Sequence, residues 1–288
     1  MSLKEVKQRI LSVKNTQKIT SAMKLVSAAK LRRAQSAIEG VRPYKGKLDD
    51  MLLSFLSGND KVAAPYPRMS EPRRVAVVAV SSNSSLCGSF NASVIRLAKE
   101  CIERYAAMQG VGIEIYPIGK KMYDALHKAG YAVDDSLMQH SVSPQYALVA
   151  TAAYGFMNRF LAAEIDRVEI VYSQFCSASK QMPVCKTFLP FDISSSLKGN
   201  DKGAFVDFIV EPGKEELINA LLPKAVALRL YTALLDSVAA EHAARMLAMQ
   251  IATDNADELI TELVREYNKS RQQAITNELL DIMSGSVR

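Results

Sequence analysis

The sequence predicts an α/β protein: a long antiparallel coiled coil of the N- and C-terminal helices plus a central Rossmann-like α/β domain. Three observations predict it. Both ends carry hydrophobic residues at helical spacing over segments longer than ordinary globular helices, and the middle alternates apolar strand-like runs with shorter helical stretches. No run of about 18 apolar residues interrupts the charges recurring through the terminal segments, so coiled-coil packing is read there rather than a membrane span.

The first helix is expected over about 3–38, with Leu3, Val6, Ile10, Val13, Met23 and Val26 at intervals of threes and fours and a polar break around Gln17. The last helix is expected over about 223–283, with Pro223 in its first turn and Leu230, Leu234, Val238, Met249, Leu259, Leu263 and Ile282 on its stripe. Neither helix buries such a stripe alone, and the pairing is antiparallel if the middle returns the chain beside its start.

Between them, residues 75–80 form an apolar run suited to a buried parallel strand, followed by a Ser/Asn/Gly turn and a helix over 90–108. A strand is expected over 112–118, helices over 120–129 and 145–164, and strands over 168–175, 184–190 and 205–210, the last two forming an antiparallel edge. Residues 58–73, where prolines cluster, and 194–203 read as exposed connectors. The division is therefore 1–57 for the N-terminal helix and connector, 58–211 for the α/β domain, and 212–288 for the C-terminal helix.

Charge is distributed unevenly along a chain whose formal net charge is +6. Residues 1–42 hold ten basic against two acidic side chains, a balance of +8, while 241–288 hold five against eight, a balance of −3. Opposite local charge favours pairing of the two ends and leaves a basic face for an acidic partner.

Chemistry within the chain is poorly supported. The segment SSNSSLCG over 81–88 follows the first strand but lacks GxGxxG and the GK[ST] ending of a phosphate-binding loop; a turn at Gly88 and a helix cap at Ser89 explain it. His127, His140 and His242 lack metal-ligand spacing, so no metal or cofactor is expected. Cys87 has no recognisable base beside it and reads as a core or loop thiol. The four cysteines read as reduced thiols, with Cys176 and Cys185 able to approach across a hairpin. No catalytic residue is assigned.

The terminal motifs carry a resemblance. SLKEVKQRILSVKNTQKITSAMKLVSAAKLRRAQ over 2–35, EHAARMLAMQIATDNADELI over 241–260 and YNKSRQQAITNELLDIMSG over 267–285 resemble the gamma subunit family of F-type ATP synthases, in the right order around its α/β domain. The resemblance implies a non-catalytic central rotor, coupling proton or sodium flow to ATP synthesis at beta-subunit sites and reversible as ATP-driven ion pumping. The implied partners are an alternating alpha/beta hexamer, the epsilon subunit and the c-ring, with one gamma per complex and no nucleic acid. The implied setting is peripheral, on the cytoplasmic face of the bacterial plasma membrane, an expectation to which the lack of a leader contributes.

Carried over residue by residue, Arg9, Lys14, Lys18, Met23, Lys24 and Lys30 are implied contacts to acidic lever loops of beta, and Arg271 and Gln272 to a beta catch loop. Met246, Met249, Ile275 and Leu279 are expected to maintain the shaft or a sleeve contact. Leu86, Cys87 and Gly88 are the implied foot contact with epsilon or the c-ring. Where the family commonly reads SDRGLCG, this chain has Ser82, Asn83, Ser84, Ser85, Leu86, Cys87 and Gly88. The acidic-basic pair is missing, which weakens any assignment of that segment's partner. The cysteine-bearing redox insertion of the plant chloroplast form has no counterpart, so thiol control is not expected. Two other classes are weighed: a nucleic-acid-binding protein, suggested by the basic first helix, and a nucleotide-dependent enzyme.

Overall fold

The computed structural model of the chain describes residues 3–56, 72–141, 144–191 and 213–285. Within these lie α1 (Leu3–Leu56), β1 (Arg74–Val80), α2 (Phe90–Ala106), β2 (Gly112–Ile118), α3 (Lys120–Lys128), α4 (Tyr146–Leu161), β3 (Arg167–Phe175), β4 (Gln181–Leu189) and α5 (Lys214–Gly285), with a short 3-10 turn at Asp135–Ser141 before α4. The chain divides into two compact units, one of residues 1–29 with 245–288 and one of residues 30–244.

In the larger unit, a four-stranded sheet has the order β2-β1-β3-β4. β1 lies parallel to both β2 and β3, while β3 and β4 are antiparallel. The sheet is therefore mixed, with its antiparallel edge made by β4 against β3; the strand expected over 205–210 lies outside the described residues. Central β1 is buried at every position after Arg74, as a strand covered on both faces must be. Its alternate side chains feed two cores. Ala76, Val78 and Val80 face a layer made by α4, the C-terminal part of α1 and the early part of α5, including Leu52, Phe156 and Leu230. Val75, Val77 and Ala79 face α2 and α3, including Ile102 and Met122.

Both long helices exceed the lengths expected from sequence, for one reason. Gly40, Pro43 and Gly46 weaken helix formation after residue 38, yet Leu48 and Leu52 bury themselves in the core and carry α1 to Leu56. Pro223 lies inside α5, not in its first turn, flanked by buried Ile218, Leu222 and Val226. An 18-residue window of α5 reaches a mean hydropathy of 1.3, and 50% of it is buried within the protein, which accounts for its apolar content by core packing.

A cavity of about 860 Å³ opens beside β3 and β4, where Arg42, Lys45, Lys186 and Arg229 surround the carboxylates of Asp49 and Asp236. On the opposite edge, Arg159 of α4 donates to both carboxylate oxygens of Glu114 at 2.9 Å and to the Tyr116 hydroxyl at 2.8 Å, clamping α4 to β2.

The smaller unit pairs the start of α1 with the distal part of α5. Gln17 donates to Asp257 at 2.6 Å, and the Thr20 and Thr253 hydroxyls meet at 2.8 Å. As numbers rise on α1 they fall on α5, so the pair is antiparallel. Val6, Met249, Ala256 and Leu263 are buried in this unit, together with Thr20 and Ser27. Val26, expected on the buried stripe, is 56% exposed, and Ile282 is exposed as well. At 100° per residue a three-four pattern drifts around a straight helix, and the small polar side chains of Thr20 and Ser27 occupy the seam instead.

Candidate functional site

Three surfaces collect the residues singled out by sequence. On α1, Arg9, Lys14, Lys18 and Lys30 are exposed, while Met23 and Lys24 are half-buried. Lys7, Leu11, Lys14, Lys18 and Leu25 fall within a narrow arc of the helix at 100° per residue, and all are exposed. Leu11 and Leu25 were not among the expected contacts, although their spacing from Lys14 and Lys18 is visible in sequence. The arc presents cations and apolar side chains together.

Near the end of α5, Arg271 and Gln272 are exposed. The Gln272 carbonyl accepts a local bond from the Thr276 hydroxyl at 2.9 Å. Ile275, Leu279 and Leu280 are exposed around them, whereas Met249 is buried and Met246 half-buried. Met249 and, in part, Met246 pack inward, and Ile275 and Leu279 point outward.

The third surface is the loop between β1 and α2. Leu86 and Gly88 both adopt positive φ, 66° and 59°. Glycine adopts this region readily, but a leucine there requires the surrounding structure to hold it. Asn91 provides the hold: its Oδ1 accepts from the Ser82 hydroxyl at 2.9 Å and its Nδ2 donates to the Cys87 sulfur at 3.1 Å and the Ser84 carbonyl at 3.2 Å. Leu86 is consequently turned out, 60% exposed, while Cys87 is turned in, 1% exposed, against Phe90, Ala240 and Ala244. Of the three residues expected to meet a partner, Leu86 and Gly88 present a surface and Cys87 anchors it.

Ser89 stands before α2 without the expected side-chain cap, because its own backbone is already helical at φ −82° and ψ −2°. The turn is closed by the Phe90 amide donating to the Cys87 carbonyl at 3.2 Å. Asn83, whose partner sequence did not reveal, caps a different helix: its Oδ1 accepts from the Lys120 amide at 2.8 Å. It supplies what Gly119 at the start of α3 lacks, a side-chain acceptor. Among the described residues no group of three or more His, Cys, Asp or Glu side chains forms a metal site.

Residues 2–287 match the ATP synthase family model. The chain is 46% identical over 286 residues to the ATP synthase gamma chain of Phocaeicola vulgatus, covering 99% of both chains. The chain belongs to the ATP synthase gamma family. A Bacteroides fragilis gamma chain is 48% identical over 287 residues, covering 99% of each. Among solved structures, the chain matches one from Tetrahymena thermophila mitochondrial ATP synthase, described as central stalk and c-ring, with a TM-score of 0.57 and 26% identity over 81% of this chain and 99% of that one. A chain from Euglena gracilis mitochondrial ATP synthase shares the fold, with a TM-score of 0.62 and 19% identity over 99% and 93%. As a member of the gamma family, the chain is a non-catalytic central-stalk subunit, a rotor that couples the motor's turning to ATP synthesis carried out elsewhere.

Proposed function

We propose that this rotor transmits torque through the arc of α1 bearing Lys7, Leu11, Lys14, Lys18 and Leu25, which meets acidic lever loops of beta subunits inside an alternating alpha/beta hexamer. The observation that supports it most is the joint exposure of cations and large apolar side chains on one face of the segment paired antiparallel with α5. Cations recognise a lever loop through charge, and apolar neighbours allow it to slide without a fixed directional bond. Arg9, Met23, Lys24 and Lys30 lie on other faces of α1 and meet the hexamer separately as the rotor turns, each exposed ion pair contributing about 1 kcal/mol or less.

Arg271 and Gln272 engage a beta catch loop in this reading, Arg271 through a forked pair of bonds to a carboxylate and Gln272 as both donor and acceptor. Leu86 and Gly88 form the foot contact with epsilon or the c-ring, and buried Cys87 fixes their presentation. A sheet order of β2-β1-β3 with helices on both faces supports a Rossmann-like description of the lobe. One copy works per complex, held peripherally at the cytoplasmic face of a bacterial membrane and driven by protons or sodium ions. The bacterial origin of the close relatives supports this setting.

The test is reconstitution with catalytic alpha and beta subunits, one copy of this chain per hexamer. Lys14→Glu with Lys18→Glu is expected to lower ATP-driven torque while the hexamer still assembles. Unchanged coupling in an assembled complex would overturn the assignment of this face.

A further inference from the structure

Two thiols far apart in sequence lie against each other in the larger unit. Cys101 on α2 faces the sheet, and Cys185 on β4 is paired in register with Val171. The Cys185 sulfur lies 3.4 Å from that of Cys101. Cys176, which the sequence allows to approach Cys185 across a hairpin, is exposed beyond the end of β3. Arg104 donates from one guanidinium nitrogen to Cys101 at 3.5 Å and to Cys185 at 3.7 Å. On the other side stands Glu169, 3% exposed, accepting from the Tyr105 hydroxyl at 2.7 Å and the Thr187 hydroxyl at 3.1 Å, with a carboxylate oxygen 3.7 Å from the Cys185 sulfur.

We propose that Cys101 and Cys185 are a dithiol site that closes to an intramolecular disulfide in the presence of a peroxide. A disulfide needs its sulfurs about 2.05 Å apart, so closure asks for an approach of about 1.4 Å from side chains already in contact. Cys101 itself is 3% exposed, so an oxidant as small as hydrogen peroxide reaches it past Cys185, which is only partly buried.

The surroundings assign the two sulfurs different roles. The Cys185 thiol donates toward Cys101 and the Arg104 guanidinium stands beside it; the thiol bond first, then that charge, hold Cys101 below the ordinary thiol range against the opposing effects of burial and Glu169. Cys185, donating to its neighbour and then penalised by burial, keeps its proton. Cys101 as thiolate attacks one peroxide oxygen and breaks the O–O bond, becoming a sulfenic acid; the departing hydroxide takes a proton and leaves as water. Cys185 then gives up its proton and attacks the sulfenic sulfur, forming the S–S bond and expelling the hydroxyl group as a second water. Two thiols and one peroxide yield one disulfide and two waters, the sulfurs losing the two electrons the peroxide gains. A dithiol reductant reverses it by exchange.

The product would join α2 to the edge strand across 84 positions of sequence. It needs no insertion and is independent of the lever, catch and foot contacts, so it stands or falls separately from the torque assignment.

The test treats the purified, reduced full chain, dilute, with stoichiometric hydrogen peroxide. Thiols counted in denaturant are expected to fall from the four of the sequence to two. Tryptic digestion without reduction is expected to release peptide 100–104 joined to peptide 181–186, and a dithiol reductant to separate them. Cys176→Ser is expected to leave the link unchanged, whereas Cys185→Ser is expected to abolish it and leave a dimedone-reactive Cys101. Because the map is made on the unmodified chain, misfolding of a variant does not decide the matter. Persistence of four thiols overturns the proposal, as does a loss carried by Cys176 or by links between chains.

Discussion

The hydroxyls of Thr20 on α1 and Thr253 on α5 meet at 2.8 Å in the seam of the helix pair. Each also has a backbone acceptor on its own helix, Thr20 the Gln17 carbonyl at 3.0 Å and Thr253 the Met249 carbonyl at 2.8 Å. A hydroxyl has one proton, so one threonine must donate across the seam while the other serves its own helix. Thr20→Val keeps the β-branched shape and removes this link, at an expected cost of about 1 kcal/mol. Thr20→Val with Thr253→Val removes both polar partners and is expected to recover most of it. Urea unfolding of the four combinations measures the coupling; additive losses would show that the hydroxyls do not act together.

Asn83 caps α3 through the Lys120 amide and stands where the family commonly has aspartate. A carboxylate in its place would add a charge-assisted bond near the positive end of a helix whose first turn holds no acidic residue. Asn83→Asp is therefore expected to stabilise the chain by about 0.5 kcal/mol at neutral pH, an effect that fades in high salt and on protonation of the carboxylate. Thermal melts at low and high ionic strength test it. Destabilisation at low salt would mean that the neighbouring loop cannot accept the charge.

What could be read from the sequence follows from how local each determinant is. β1 was legible because a strand covered on both faces is an unbroken apolar run, and α2 and α3 because their buried residues keep helical spacing. The continuation of α1 past Gly40 and Pro43 was not, since only tertiary burial of Leu48 and Leu52 outweighs local helix breakers. The exposed cations at Arg9, Lys14, Lys18 and Lys30 were legible as charge on an amphipathic helix, whereas the inward turn of Cys87 depends on two left-handed residues beside it and on Asn91. Cys101 beside Cys185 is a product of sheet order and helix placement, which no spacing encodes.

Asn91 holds the β1–α2 loop through Ser82, Ser84 and Cys87, so its removal is expected to act on the loop before the fold. Asn91→Ala leaves the Ser84 carbonyl and the Cys87 sulfur without that donor. The expected result is a stability loss of about 1–3 kcal/mol and labelling of Cys87 by iodoacetamide at least several-fold faster than in the unmodified chain. Mass spectrometry of the labelled peptide over time separates Cys87 from exposed Cys176. Unchanged Cys87 labelling would show that packing against Phe90, Ala240 and Ala244 alone keeps the thiol inside.

Asp236 gives the clearest pH signature. Burial beside the cavity pushes its carboxyl up to about 6, against the pull of Lys186, Lys45 and Arg42. Its folded value thus lies above its unfolded one, and the stability it contributes is fully present below about pH 4 and lost as pH rises through 6. A shift of this size corresponds to about 3 kcal/mol as an upper bound, which partial exposure reduces. Asp236→Asn keeps the shape without the ionisation, so it is expected to gain about 1–2 kcal/mol at pH 7, to gain nothing at pH 4, and to flatten the intervening decline. Lys186, itself lowered first by burial, loses an opposite charge in this variant, which trims the gain. Chemical denaturation at pH 4, 5, 6 and 7 resolves the balance. A variant less stable at pH 7 would show that attraction between the ionised carboxylate and the surrounding cations outweighs its loss of water.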